Sequence, residues 1–285
     1  MPTITGQRIA RAGAIVVASF LAAELALRAA ALVAGERIDR LRPDASLLAD
    51  ADVAVYGDST PFGLGAATSF PTELARLTGL KVVNRSRPGI NSSQTYLILR
   101  DDLERYAPRI VLVMTGVNDV WNLADVDAEL LGPLGFWRQH LPELRLVRMA
   151  RIWWTAGRGA SAFETVKPEA HAWGRRDETA RQLPSDGARR ITRANLEKIV
   201  ALTRAKGAKL LFLGYQAGGW NGSATRVDGL LAEHYADRFI ELASLFAGDG
   251  GSLLQADGFH PTDEGQRRIA ERIEGELVKR GLIAG

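Results

Sequence analysis

The run Val53-Ala54-Val55-Tyr56-Gly57 restricts the fold of this chain more than any other stretch, because Asp58-Ser59-Thr60-Pro61 follows it directly. β-branched and aromatic residues favour a buried strand. Glycine permits the sharp exit that other residues resist, and it leaves the Ser59 hydroxyl at the strand's carboxyl end. Ligands collect at that edge in open parallel sheets, which makes Ser59 a candidate nucleophile. Taken alone, Gly-Asp-Ser is more often an ordinary turn, since all three residue types favour turns.

The rest of the chain extends the pattern. Lys81-Val82-Val83-Asn84 reads as a second strand and Ile110-Val111-Leu112-Val113-Met114 as a third, with Lys209-Leu210-Leu211-Phe212-Leu213 and Arg238-Phe239-Ile240-Glu241-Leu242 as the fourth and fifth. The third carries no polar residue, and continuous apolar runs of this kind suit a parallel sheet covered on both faces. Helices are expected between the strands. One runs over Pro71–Leu77 behind a Ser69 cap; another is capped by Ser92 or Ser93 and runs to about Tyr106; a third spans about Gly187–Ala205. A last helix, capped by Thr262, reaches Arg280 with Asp263 and Glu264 in its first turn, where they complement the helix dipole. The expected fold is a doubly wound, flavodoxin-like α/β/α sandwich on a five-stranded parallel sheet.

The N-terminus stands apart from this series. From Gly13 to Ala34 the chain is almost continuously apolar, long enough for a bilayer span, and interrupted by Glu24 and Arg28. Each of these charges costs roughly 2.5–3.5 kcal/mol near the centre of a spanning helix, although their four-residue spacing lets them pair. The expectation is an uncleaved membrane anchor over residues 1–34, with the enzyme-like part held outside the cytoplasm. A cleaved signal segment ending near Ala29-Ala30-Ala31 and an amphipathic helix docked on the protein are the competing readings. Residues 35–50 read as a linker and 51–285 as the main domain.

Composition excludes several function classes. With 36 basic and 33 acidic residues spread along the chain, no nucleic-acid-binding patch is expected. The absence of cysteine removes thiol nucleophiles, disulfides and zinc–thiolate sites. No cluster of ligating residues calls for a metal, and no cofactor is expected. Residues from about 120 to 186 form a long excursion holding Trp121, Trp137, Trp153, Trp154 and Trp173. Loops of that size are usually functional covers or disordered. The piece Leu144–Trp154 reads as a helix that covers the site, rests on a membrane or simply packs on the core.

A serine needs a base within hydrogen-bond reach, itself oriented by an acid. Among His140, His171, His234 and His260, His260 alone has a carboxylate three residues before it in a loop beside a helix N-terminus. That loop is Asp257-Gly258-Phe259-His260-Pro261, a sequence also compatible with a simple helix-capping turn. Together with Gly57-Asp58-Ser59, Gly89 and Gly116-Val117-Asn118-Asp119, it resembles the SGNH (GDSL-type) hydrolase family, with the four blocks in the family's order. The resemblance implies Ser59 as nucleophile, His260 as general base and acid, and Asp257 as its orienting partner. It also implies an oxyanion hole from the N–H groups of Ser59 and Gly89 and the side-chain amide of Asn118. Thr60, followed by Pro61, stands where leucine or a similar apolar residue usually comes after Gly-Asp-Ser, and Arg85, Arg87 and Pro88 crowd the second block. An α/β-hydrolase elbow fits worse, because Pro61 stands where its second glycine belongs.

The function so implied is hydrolysis of an acyl ester through an acyl-serine, on a small acyl ester, a lipid or a cell-envelope carbohydrate. An O-acyltransferase acting on a glycan and a non-catalytic binding domain are the alternatives.

Overall fold

The computed structural model describes Arg11, Ile15 and residues 17–30, 45–127, 129–131, 185–216, 222–248 and 250–284. The chain divides into two units, one drawn from Met1–Arg42 and Leu141–Trp173, the other from Pro43–His140 and Gly174–Gly285. Most of the tryptophan-rich excursion, including Leu144–Trp154, lies outside the described residues, as do residues 35–44 of the expected linker.

In the first unit the described structure is a helix over residues 17–30. Arg28 Nε donates to Glu24 Oε1 at 2.8 Å, so the pair expected from the four-residue spacing is formed, with Glu24 buried. The membrane-spanning anchor is not supported: among the described residues no helix is long and apolar enough to cross a membrane. The expectation of a membrane partner reached through this helix loses its basis with it.

The second unit holds a five-stranded parallel sheet in the order β2-β1-β3-β4-β5, built from β1 (Val53–Gly57), β2 (Val82–Asn84), β3 (Ile110–Met114), β4 (Lys209–Leu213) and β5 (Phe239–Ile240). The expected flavodoxin-like order is therefore present. The central strands β1 and β3 are buried along their whole length, which is why their sequences carry apolar residues continuously rather than alternately. They pair from Val53 with Ile110 to Gly57 with Met114, so both end at the same level of the sheet. Helices α1 (Phe70–Thr78), α2 (Ser92–Leu103), α3 (Ser185–Ala205), α4 (Ser223–His234) and α5 (Asp263–Lys279) complete the sandwich. Helix α5 packs on α1, and α2 packs on α3. Ahead of β1, a 3₁₀ turn over Ala45–Asp50 places Leu48 in the hydrophobic core, so the stretch read as linker ends as part of the packed unit.

Capping differs in detail from the sequence reading. Helix α2 is capped by Asn91, which accepts from the Gln94 N–H at 2.8 Å and receives the reciprocal bond from its own N–H to the Gln94 side chain, a capping box. Ser69 occupies the N-cap position of α1, but its hydroxyl pairs with Thr72 Oγ1 at 3.1 Å instead of a backbone N–H. Thr262 caps α5 as expected, accepting from Gly265 N.

Candidate active site

Chain direction reverses across β1: the chain leaves β1 towards β2 and returns past it to β3. A crevice at the carboxyl end of such a switch point is where doubly wound sheets bind ligands, and Ser59 follows β1 there. The exit is shaped by close approach. A Cβ at Gly57 would lie 2.2 Å from Met114 O and 2.7 Å from the Pro61 ring, so no other residue fits. Pro61, a departure in the sequence, is thus accommodated by the glycine before the nucleophile. Ser59 opens a one-turn helix ending at Phe62, capped by Asp58, whose carboxylate accepts from Thr60 N at 3.2 Å.

Asp58 is fully buried, and burial lifts its carboxyl to about 6, against the lowering effect of the Tyr215 hydroxyl that donates to Oδ2. Tyr215 and Gln216 follow β4 at the same edge of the sheet. Gln216 Nε2 donates both to Thr60 Oγ1 at 3.2 Å and to the carbonyl of Phe259, joining the serine turn to the histidine loop. Gln266, on α5, continues the brace: its Nε2 donates to Thr60 O at 3.1 Å and its Oε1 accepts from Phe70 N at 2.9 Å. These positions follow a strand end or fall inside a helix and carry no motif. The position of Tyr215 and Gln216 after an apolar run is the one signal the sequence offers for them.

His260 reaches Ser59 from 201 residues away in sequence, with Nε2 2.8 Å from Ser59 Oγ. Its Nδ1 lies 2.5 Å from Asp257 Oδ2. The other carboxylate oxygen, Oδ1, accepts from the N–H groups of Phe259 and His260, both at 2.9 Å, so the Asp-x-x-His turn closes on itself and fixes the acid. Burial acts to raise the Asp257 carboxyl, but the bonds from His260 and from these amides outweigh it and hold the group below the usual carboxylate range. Phe259 stacks on Tyr215 with centroids 6.2 Å apart and meets the imidazole edge-on at 5.1 Å. The base is therefore held by its acid on one side and an aromatic wall on another.

Gly89 and Asn118 occupy the two loops beside Ser59. Gly89 has φ +75°, a conformation that favours glycine. The loops are sewn together: Asn118 Nδ2 donates to Ile90 O at 2.9 Å and Asn122 Nδ2 to Gly89 O at 2.8 Å. Asn118 Oδ1 accepts from Trp121 Nε1 at 3.1 Å. Asp119 turns the other way, into the protein. It accepts from Ser92 N (2.8 Å), Ser92 Oγ (2.7 Å) and Thr192 Oγ1 (2.6 Å), which anchors the Asn118 turn to α2 and α3. Among the described residues no group of three or more histidine, aspartate or glutamate side chains could hold a metal ion.

A doubly wound parallel sheet with a serine, histidine and aspartate hydrogen-bonded in series at its carboxyl edge has the arrangement that serine hydrolysis requires. The profile of the GDSL-like lipase/acylhydrolase family matches residues 55–268, and the chain belongs to that family. Matches among solved structures include TesA (20% identity over 79% of this chain and 97% of that one, TM-score 0.49). The psychrotrophic esterase EstA from Pseudoalteromonas sp. matches at 16% identity over 80% and 97%, with a TM-score of 0.47. A Clostridium thermocellum family 3 carbohydrate esterase matches at 15% over 82% and 99%, again with a TM-score of 0.47. No curated protein sequence matches.

Proposed function

We propose that this GDSL-type hydrolase cleaves acyl esters by way of an acyl-serine on Ser59, with His260 as base and acid and Asp257 as its orienting partner. One observation carries the reading: Ser59 Oγ, His260 and Asp257 form an unbroken line of hydrogen bonds of 2.8 and 2.5 Å. Ser59 Oγ attacks the ester carbonyl while its proton passes to His260 Nε2, and the imidazolium is stabilised by Asp257. The same proton then goes to the departing alkoxide, releasing an alcohol and leaving acyl-Ser59. Water, deprotonated by His260, attacks that ester and returns the serine with release of the carboxylic acid. Negative charge on the carbonyl oxygen is met by the N–H groups of Ser59 and Gly89 and the Asn118 amide.

On the substrate, the reading extends to esters with an apolar acyl group. Two large apolar side chains stand exposed one turn beyond site residues, Phe62 after Ser59 and Trp121 after Asn118. Exposed aromatic surface beside a nucleophile favours an acyl chain over a charged group. The test is labelling by a fluorophosphonate. The intact protein takes up one equivalent, located on Ser59 by peptide mass mapping, and Ser59→Ala takes up none. Equal labelling of both proteins would sink the assignment.

A further inference from the structure

Asn118 is held by two neighbours of fixed chemical sense. The Ile90 carbonyl can only accept, and the Trp121 indole N–H can only donate. Nδ2 therefore faces Ile90 O (2.9 Å) and Oδ1 faces Trp121 Nε1 (3.1 Å). Turning the amide over would set oxygen against oxygen and N–H against N–H, so the orientation follows from the partners themselves. The amide nitrogen carries two hydrogens and gives one to Ile90, which leaves the second for another acceptor. Trp121 follows the 3₁₀ turn Val117–Val120, with Asn118 one turn back.

We propose that Trp121 is a positioning residue for catalysis: its indole N–H fixes the Asn118 amide so that one N–H is presented to the developing oxyanion. This rests on the oxyanion role of Asn118 given above. The effect belongs to the transition state, because the carbonyl oxygen gains its charge only during attack. Loss of the indole N–H therefore lowers kcat and leaves KM nearly unchanged. Trp121 is 41% exposed, and phenylalanine at position 121 keeps an aromatic ring while removing the indole N–H.

The experiment is a double-mutant cycle on the full chain, with p-nitrophenyl acetate and butyrate as substrates and the thermal midpoint of each variant recorded. Trp121→Phe is expected to lower kcat about 3- to 10-fold, the worth of one hydrogen bond, with KM within about twofold. Asn118→Ala is expected to lower kcat by about 10²-fold or more. In the Asn118→Ala background, Trp121→Phe then changes kcat by less than about twofold, because the amide it positions is gone. A Trp121→Phe enzyme with wild-type kcat beside a crippled Asn118→Ala enzyme would overturn the proposal and leave the oxyanion role of Asn118 standing. Persistence of the full Trp121→Phe loss in the absence of Asn118 would overturn it equally. An Asn118→Ala enzyme with wild-type kcat would overturn the oxyanion role and this proposal together.

Discussion

Ser59 and Ser92 each sit at the first turn of a helix beside the same sheet edge, each with its hydroxyl on a strong hydrogen-bond acceptor. Ser59 meets an imidazole nitrogen at 2.8 Å and is 9% exposed; Ser92 meets the Asp119 carboxylate at 2.7 Å and is fully buried. The difference lies in the acceptor's other partners. His260 has Asp257 behind it, and its Nε2 is free to take a proton and give it back. Asp119 already accepts from the Ser92 amide and from Thr192, and Ser92 Oγ in turn accepts from Asn195 at 2.8 Å, so that cluster is saturated on every side. A serine beside a carboxylate is thus bound into the scaffold here, and the serine beside a histidine is the one proposed to carry the chemistry. Local residue types do not separate the two; the onward hydrogen bonds do.

Substitution of the two serines tests this contrast most severely. Ser59→Ala is expected to cut kcat by about 10⁴–10⁶ with the thermal midpoint preserved. Ser92→Ala should keep kcat within a few-fold while lowering stability by about 1–3 kcal/mol in urea unfolding, since Asp119 and Asn195 each lose a buried partner. Comparable activity losses would erase the distinction. Next in size is Asp257→Asn, which keeps the shape of the loop but presents His260 with a neutral amide that can favour the wrong tautomer. A loss of about 10⁴ in kcat is expected, with KM little changed.

The remaining expectations concern stability. Asp58 has its carboxyl lifted by burial to about 6, so between its unfolded value and about 6 the folded protein holds a proton that the unfolded chain releases. Its contribution is therefore present at low pH and lost as pH rises through about 6. Asp58→Asn should remove that slope from the urea midpoint plotted against pH; an unaltered slope would assign it elsewhere. Smallest is the bridge between the two loops. Thr60→Val and Gln216→Leu each break the 3.2 Å bond joining them. The double variant should lose about 0.5–1 kcal/mol less than the sum of the single losses. Strict additivity would mean that the bond contributes nothing.

The sheet is legible in the sequence because its central runs are buried on both faces and so are written in apolar residues without interruption. Ser59, His260 and Asp257 are legible because a turn fixes Asp257 to His260 within three residues and a glycine marks the exit before Ser59. What stays hidden depends on partners distant in sequence. Ser92 and Ser93 look like caps for α2, but their hydroxyls are drawn to Asn195 and Asp119, and Asn91 takes the capping role. Helix α4 leaves little periodic signal: Asp228 and Gly229 interrupt it, and Asp228 is there to accept the Tyr215 N–H at 3.0 Å. Gln216 and Gln266 are ordinary polar residues until the fold brings Thr60 between them. The membrane anchor rests on apolar composition alone, and among the described residues no helix is long and apolar enough to cross a membrane.

The proposed nucleophile and its proposed base are separated by 201 positions. Any fragment that stops short of residue 257 carries the Ser59 hydroxyl without the ring that the proposed mechanism needs beside it, however well its sheet has formed. Under the proposed mechanism, ester cleavage therefore requires the span from Ser59 to His260 to be folded as one unit, because the two ends of that span supply the two halves of the proton transfer.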